Sequence, residues 1–150
     1  METTLVLVKP DGVQRGLIGS ILSRFEAKGL QVVGLKLVKP EMALLESHYE
    51  VHKERPFFGA LLKFMSSGPV VAVALRGEGA VAVVRNLMGE TNGAESAPGT
   101  IRGDYGMSRS FNLVHGSDAL ETAQSELALW FGDDLVDYDL DGLTWVYEVE

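Results

Sequence analysis

Cysteine is absent from this 150-residue chain, and its absence excludes a disulfide framework and a thiolate metal site. The absence fits a reducing compartment, so we expect a cytoplasmic location. Long apolar runs are missing as well. The run at residues 5–8 stops at Lys9-Pro10-Asp11-Gly12, too early for a secretory signal, and no later run is long enough for a bilayer. We therefore expect neither a secretory signal nor a membrane span.

Positive charge is scarce, with 13 lysines and arginines against 21 aspartates and glutamates and a formal net charge of −8. This balance argues against a nucleic acid or an anionic membrane as the main partner, because both attract basic proteins. The net charge does not exclude binding of a small anionic ligand, because a local cluster of lysine and arginine is enough to bind it. The Walker pattern GxxxxGK[ST] and the protein-kinase signatures are also absent.

The residues that are present are typical of a single globular domain over residues 1–150. The composition is 46% hydrophobic and 23% charged, and we find neither a repeat nor a linker. Hydrophobic periodicity predicts strands at 5–8, 31–38 and 70–75 and a short strand ending near His115; it predicts helical regions at 17–28, 40–65 with a break near Pro56, 80–88 and 118–131. This order suits a split ferredoxin-like sandwich or a small doubly wound sheet.

The compositions of three connecting segments predict their structure or role. Pro10-Asp11-Gly12 has the composition of a turn. Residues 89–110 are rich in Gly, Pro, Asn and Ser, and a loop of that length suggests a function. The acidic tail at 132–150 holds Tyr138, Trp145 and Tyr147, and we expect it to pack on the surface.

The stretch from Phe111 to Asp118 is the most suggestive part of the chain. A short apolar run leads to His115, Gly116 and Ser117 then turn the chain, and Asp118 followed by Glu121 has the form of a helix cap. His115 is therefore predicted where a strand gives way to a helix, a position that favours anions. With an amide and a hydroxyl nearby, it is a candidate nucleophile or proton carrier; the alternative is a structural histidine.

The predicted helix at 118–131 has one apolar face with an acid at its rim. Glu126 lies at the rim, and the face consists of Leu120, Ala123, Leu127, Trp130 and Phe131.

Two weaker patterns have plainer interpretations. Residues 77–82 imitate a GxGxxA dinucleotide fingerprint, but no strand ending in an acid follows them, so we expect a turn. His48 and His52 have the i, i+4 spacing of a metal-binding pair. No third ligand is evident, and a solvated helix face is the favoured interpretation.

Three basic residues are candidates for binding phosphate without a P-loop. Lys9 ends the first strand, Arg85 lies on the third helical stretch, and Arg102 lies in the long loop. Each one alone is typical of a solvated charge. Strand ends and loops can converge at one edge of a small sheet, so their significance depends on the combination.

Several motifs follow one another along the chain. They are Lys9-Pro10-Asp11-Gly12-Val13-Gln14-Arg15-Gly16, His48-Tyr49 with Arg55-Pro56-Phe57-Phe58, Ser67-Gly68-Pro69, Met88-Gly89-Glu90-Thr91-Asn92, Pro98-Gly99-Thr100-Ile101-Arg102-Gly103-Asp104, and Asn112-Leu113-Val114-His115-Gly116-Ser117-Asp118. In the order and spacing of these motifs, the chain resembles nucleoside diphosphate kinases over essentially its full length.

The resemblance implies an α+β fold, a ferredoxin-like βαββαβ sandwich with a four-stranded antiparallel sheet in the order 4-1-3-2. It also implies a ping-pong reaction in which His115 takes the γ-phosphate of a nucleoside triphosphate and passes it to a nucleoside diphosphate. Such an enzyme maintains nucleoside triphosphate pools with low base specificity. By the same resemblance, Glu126 orients the imidazole, Ser117 holds that acid, and Tyr49 lies close to the histidine.

The nucleotide contacts are implied in the same way. Lys9, Arg85 and Arg102 match the family residues that neutralise the phosphates, and Thr91 adds a hydroxyl contact. The aromatic that stacks on the base matches Phe57, while Asn112 and Lys9 match the contacts to the sugar. Mg²⁺ is expected to arrive on the nucleotide phosphates rather than in a protein site.

Two departures from the family pattern concern assembly. Gly93 stands where the family usually has proline, so we expect a less stiff loop, and Phe111 stands where arginine is common. Family members are mostly hexamers, with tetramers in some bacteria, and we expect a homohexamer. The rival interpretation is a non-catalytic nucleotide-binding or regulatory scaffold. Loss of the histidine or the lysine would favour it, and both are present.

Overall fold

The computed structural model describes residues 1–149, and over that range the chain forms a four-stranded antiparallel sheet covered by helices. Strand β1 (Glu2–Val8) lies between β3 (Val70–Gly77) and β4 (Val114–Gly116), and β2 (Gln31–Val38) pairs with β3 at the far edge. The order β2-β3-β1-β4 is the expected 4-1-3-2 order counted from the other edge. The α+β sandwich is confirmed, and the doubly wound alternative is wrong because that fold requires parallel strands.

Seven α-helices connect and cover the described strands. Their bounds are α1 (Pro10–Gln14), α2 (Ile18–Lys28), α3 (Met42–His48), α4 (Phe58–Met65), α5 (Ala80–Met88), α6 (Ile101–Tyr105) and α7 (Leu120–Phe131). Short 3-10 turns lie at Glu50–His52, Gly93–Glu95 and Asp141–Trp145. Within residues 1–149, none of these helices is both long and apolar enough to cross a membrane.

Strand β1 is buried on both faces, which explains its continuous apolar sequence. Val6 and Val8 belong to a core cluster with side chains of α2 and α5, whereas Leu5 and Leu7 belong to a second cluster with α3, α4 and α7. The two clusters fix the central strand from both sides. The end of β1 and the neighbouring β4 therefore form a rigid base for the residues that follow them.

Two local predictions are corrected by the structure. The Pro10-Asp11-Gly12 segment is not a turn but the start of α1, because proline fits the first helical position, where no N–H is needed. Asp118 does not cap the last helix. The cap position is Ala119, whose side chain makes no capping hydrogen bond, and Leu120 is 44% exposed rather than part of the buried face. The other four residues predicted for that face are buried.

The long segment from 89 to 110 is more ordered than predicted, since it contains the Gly93–Glu95 turn and helix α6. Gly93 is buried, and its N–H donates to the carbonyl of Ser108 at 3.3 Å. A Cβ at position 93 would lie 2.5 Å from the backbone of Gly106. Glycine is the residue that lets two backbone segments touch there, and the less stiff loop stays a prediction.

The tail packs on the sheet, as expected. The N–H of Val136 donates to the carbonyl of Val33, and the hydroxyl of Tyr147 accepts from the N–H of Glu78 at 3.1 Å. Trp145 is the exception, because it is 91% exposed.

Candidate active site

His115 lies in the middle of the three-residue strand β4, directly opposite Leu7 of the buried strand β1. Its neighbours Val114 and Gly116 are buried, and its own side chain is 21% exposed. The predicted strand-end position is confirmed. Pairing with a fully buried strand fixes the backbone of His115 while its ring stays accessible.

Glu126 of α7 holds the ring of His115 in one orientation. The Nε2 of His115 lies 3.0 Å from Oε1 of Glu126, and the Oγ of Ser117 donates to the same oxygen at 2.6 Å. Burial opposes ionisation of this carboxyl, but the hydrogen bonds from His115 and Ser117 outweigh it, so the pKa of Glu126 lies below its usual value. Glu126 is therefore a carboxylate, and Nε2 of His115 carries the hydrogen that is donated to Oε1 of Glu126. The lone pair of the ring is consequently on Nδ1, the atom available as a nucleophile.

His48 was predicted to lie on a solvated helix face, and that prediction is wrong. It is buried at the end of α3, with its ring centroid 4.6 Å from that of His115, and its Nδ1 accepts the indole N–H of Trp130 at 3.0 Å. The same Nδ1 lies 3.6 Å from Oε2 of Glu126. Burial, followed by the charge of His115, lowers the pKa of His48 to about 3, so its ring is neutral. Periodicity missed this contact, although a buried tryptophan is itself a signal that an acceptor lies nearby.

A cavity of about 590 Å³ opens beside His115. Tyr49, His52, Arg85 and Glu126 are among the residues that line it. Burial raises the pKa of Tyr49 far above its usual value, so its hydroxyl remains a donor. That hydroxyl is buried, and no atom of residues 1–149 forms a hydrogen bond with it. A buried donor without a partner in this position suits a ligand oxygen.

The three predicted basic residues converge on the same region and repel one another. Burial, followed by the charge of Arg102, lowers the pKa of Lys9 to about 8. Burial, followed by the charge of Arg85, lowers the pKa of Arg102 to about 10. Repulsion between positive charges thus adds to burial in lowering the pKa values of Lys9 and Arg102, and a bound anion would relieve that repulsion.

Hydrogen bonds fix this cluster around Asn112. The Nζ of Lys9 donates to Oδ1 of Asn112 at 2.8 Å, and the amide of Asn112 donates to the carbonyl of Thr91 at 3.1 Å. Arg102, buried, donates to the carbonyls of Asn112 and Val114 and to that of Gly89. These three bonds leave donors of Arg102 available, because a guanidinium has five N–H groups.

Phe57 lies at the outer side of the site. It is 50% exposed, and its ring centroid is 5.3 Å from that of His52, which lines the cavity. An exposed aromatic ring held in this way offers a face on which a planar group can stack. Phe111, the second departure from the family pattern, packs instead against Phe64, with ring centroids 5.4 Å apart.

In the described part of the chain, the potential metal ligands that come together are His48, His115 and Glu126, whose ligand atoms lie within 4.8 Å of one another. His52 is not part of the group, so the i, i+4 pair does not form the metal site considered from the sequence. Two imidazoles and one carboxylate are unsuited to Mg²⁺, which prefers oxygen ligands.

Comparison with known proteins agrees with this geometry. The profile of the family described as nucleoside diphosphate kinase matches residues 2–136. Nucleoside diphosphate kinases from Crocosphaera subtropica and Synechococcus elongatus are each 55% identical to the chain over 149 residues, which is 99% of this chain and 100% of each relative.

Two solved structures are similar to the chain in both fold and sequence. A halophilic nucleoside diphosphate kinase from Halobacterium salinarum in complex with CDP has a TM-score of 0.95 at 51% identity, covering 98% of this chain and 99% of that one. A family protein from Babesia bovis has a TM-score of 0.95 at 49% identity, covering 98% of this chain and 100% of that one. With sequence and fold both matching over nearly the full length, the chain belongs to the nucleoside diphosphate kinase family.

Proposed function

We propose that Nδ1 of His115 carries the phosphoryl group between two nucleotides. Nδ1 attacks the γ-phosphorus of a nucleoside triphosphate, and the bond to the bridging oxygen breaks, so that its electron pair leaves with the diphosphate. A terminal oxygen of a second diphosphate then attacks the same phosphorus, and the electron pair of the P–N bond returns to Nδ1. The observation that supports this most strongly is the Nε2–Glu126 hydrogen bond, which leaves the Nδ1 lone pair available beside a positive cluster.

The supporting roles follow from contacts around the ring. Phosphorylation at Nδ1 makes the imidazole cationic while Nε2 keeps its proton, and the Glu126 carboxylate stabilises that cation. Ser117 keeps the carboxylate in place through its 2.6 Å hydrogen bond. Tyr49 supplies a donor hydroxyl that is otherwise unsatisfied among the described residues. A fixed, partly buried arrangement of this kind needs no reorganisation when charge develops.

Lys9, Arg85 and Arg102 bind and neutralise the phosphates, with the hydroxyl of Thr91 as a further contact. The transition state of phosphoryl transfer spreads charge over phosphate oxygens, so preorganised cations stabilise it. Mg²⁺ would enter as part of the Mg-nucleotide substrate and would supply positive charge to the phosphates, as suits an ion that keeps most of its waters.

Phe57 stacks on the base, and Asn112 with Lys9 contacts the sugar. Every base has a π-face, so stacking alone gives the low base specificity of a pool-maintaining enzyme. The similar Halobacterium salinarum protein was solved in complex with CDP, which supports a nucleoside diphosphate as the second substrate here.

Incubation with a γ-labelled nucleoside triphosphate tests the proposal. Label should appear on the protein, should be acid-labile and alkali-stable, and should leave on addition of an unlabelled diphosphate. His115→Ala should remove both the label and the exchange activity, while His52→Ala should still become labelled. Label on His48 or His52, or a His115→Ala protein that keeps a tenth of the activity, would contradict the assignment. An unlabelled wild-type protein that binds nucleotide would favour the scaffold interpretation.

The wider setting belongs to the same proposal. Residues 1–150 act as one domain, since both core clusters pack on a single sheet. The assembly is a homohexamer, which the exposed Trp145 and exposed apolar residues of β2 support. The location is cytoplasmic, where the nucleotide substrates are made and used.

A further inference from the structure

Leu113 adopts a backbone conformation that a leucine rarely tolerates. Its φ is +74°, and among residues 1–149 no other residue except glycine has a positive φ. The N–H of Val114 donates to the carbonyl of Asn112 at 2.8 Å, so the three residues form a γ-turn centred on Leu113. A γ-turn with positive φ is strained, and such strain persists only where the surroundings impose it.

The turn lies between two residues of the proposed site. In an extended strand, side chains three positions apart point to opposite faces, so Asn112 and His115 would be separated by the sheet. The γ-turn changes that alternation. Oδ1 of Asn112 accepts from Nζ of Lys9 at 2.8 Å, and Lys9 directly follows strand β1, on which Leu7 pairs with His115. The strained turn therefore brings the amide and the imidazole to one site.

Two contacts from the start of α1 hold Leu113 in this conformation. Oδ2 of Asp11 accepts the N–H of Leu113 at 3.1 Å, and the N–H of Lys9 donates to the carbonyl of Leu113 at 2.8 Å. A Cβ on Gly12 would lie 3.2 Å from that same carbonyl oxygen, so α1 packs closely on the turn. Lys9 makes its contact through the backbone N–H, so Asp11 is the residue of this pair that holds the turn through its side chain.

Asp11 is half-buried in the first turn of α1, and its two carboxylate oxygens differ in their surroundings. Its Oδ1 is buried and has no hydrogen-bond partner among residues 1–149. A carboxylate oxygen without a partner is costly, and such cost is often found where a group serves a site rather than the fold. The charge of Asp11 also raises the pKa of Lys9, opposing part of the lowering caused by burial and by Arg102.

From these contacts we infer that Asp11 is a positioning residue for phosphoryl transfer: its carboxylate holds the γ-turn at Leu113 and so sets Asn112 and His115 toward one phosphate site. The inference rests on the proposed function, because the turn matters to the reaction only if His115 is the nucleophile. Asp11 acts through the backbone and touches no substrate.

The test measures the single-turnover rate of His115 phosphorylation at saturating Mg-ATP in folded protein. Asp11→Ala should lower that rate about tenfold or more, because small misplacements of a nucleophile are expensive. Asp11→Asn should stay within about threefold of the wild type, since the amide oxygen accepts the same hydrogen bond. If Asp11→Ala does not fold, Asp11→Glu replaces it, because the longer side chain displaces the acceptor and should give a similar loss.

A matched pair at Leu113 separates positioning from general stability. Leu113→Ala and Leu113→Gly both remove the core side chain, but only glycine relieves the strain at positive φ. In the Leu113→Ala background, Asp11→Ala should therefore lower the phosphorylation rate about tenfold or more, as it does in the wild type. In the Leu113→Gly background, it should lower that rate less than about threefold.

Three results would overturn the inference: a wild-type rate for Asp11→Ala, an equal loss in both Leu113 backgrounds, or an Asp11→Asn protein as slow as Asp11→Ala. Each is read against a wild-type protein labelled at His115. If the wild type is labelled elsewhere or not at all, the proposed function fails instead, so the two failures are distinguishable.

Discussion

Under the proposed function, Glu126 is the residue on which the reactivity of His115 depends most directly. A single carboxylate oxygen accepts from both His115 and Ser117, and the second oxygen lies 3.6 Å from His48. An oxygen held by two donors cannot rotate away when the imidazole becomes cationic. The carboxylate thus fixes both the tautomer and the charge balance of the site.

Replacing this carboxylate by an amide gives the first prediction. Glu126→Gln keeps the shape but removes the negative charge that stabilises the phosphohistidine cation, so kcat should fall about 10- to 100-fold with little change in KM. Glu121→Gln makes the same chemical change on the exposed side of α7 and should leave kcat within about twofold of the wild type. Steady-state exchange assays decide the matter. Equal effects of the two substitutions would contradict the proposed role.

Phe57 carries the second prediction at this scale. Phe57→Ala should weaken ATP, GTP and CTP by similar factors, because base stacking contributes about 1–3 kcal/mol and tolerates any base. Binding to an inactive His115→Ala background, measured by calorimetry, avoids turnover. A loss confined to one nucleotide would point to hydrogen-bond readout of the base and refute the stacking role.

At the scale of secondary-structure elements, α3 and α7 are joined by a buried polar contact. His48 ends α3, and the indole of Trp130 on α7 donates to it, so the imidazole must keep Nδ1 unprotonated. Protonation of His48 would place a hydrogen where the indole hydrogen lies. Because this packing requires a neutral His48, the stability of the fold depends on pH.

The third prediction follows from that coupling. The pKa of His48 falls to about 3 in the folded protein, whereas a histidine in the unfolded chain titrates near 6.5. Below pH 6.5 the unfolded state therefore binds more protons, so stability is complete above that pH and is lost as the pH falls toward 3. The pKa of Glu126 is also lowered in the folded protein, so this carboxylate adds a further loss of stability, but only below its unfolded pKa near 4.5. The melting temperature should thus decline between pH 6.5 and 4.5.

Substitution identifies the group responsible. His48→Gln should flatten this decline, while His52→Gln, which changes a partly exposed histidine, should not. Melting curves recorded across that pH range test both. An unchanged slope for His48→Gln would show that another group causes the dependence.

The long segment between α5 and β4 gives the fourth prediction. Gly93→Pro should lower the melting temperature, because proline removes the hydrogen bond to Ser108 and places a Cβ against the backbone of Gly106. Gly93→Ala keeps the N–H, so it should show the steric part of the loss alone. Calorimetry of both variants separates the two causes. A higher melting temperature for Gly93→Pro would contradict the clash and would show that proline stabilises this position by restricting the unfolded chain.

At the scale of the whole molecule, the described surface carries apolar groups that a second subunit would cover. Leu35 and Leu37 on the edge strand β2 are 56% and 66% exposed, and Trp145 is 91% exposed. Edge strands with exposed leucines are prone to pair with other chains. These features support an oligomer through surfaces that lie apart from His115.

The fifth prediction is the assembly itself. Light scattering at micromolar concentration should give the mass of six chains, and Leu37→Glu should shift the protein toward smaller species because it buries a charge in the contact. A wild-type monomer or dimer at that concentration would refute the hexamer. A Leu37→Glu protein that stays hexameric would exclude β2 from the interface.

Much of the fold could be predicted from the sequence because its elements depend on local patterns. The period of apolar residues placed all four strands and matched α5 at both ends, Ala80 and Met88. The ordered motifs identified the family and the sheet order. The cap at Asp118 failed for a physical reason, since the start of α7 is set by the packing of its buried face rather than by a side-chain hydrogen bond.

Patterns along the chain are enough to predict the strands, the family and the candidate chemistry, because periodicity, motif order and residue type can be read without knowing the fold. Tertiary packing accounts for the remaining features. It buried His48 against His115, set Gly93 against Gly106, and bent Leu113 to a positive φ under the grip of Asp11. These features join residues that are not neighbours along the chain, and their energies arise only when the sheet and both core clusters have formed. No local pattern records a contact whose partner is distant along the chain.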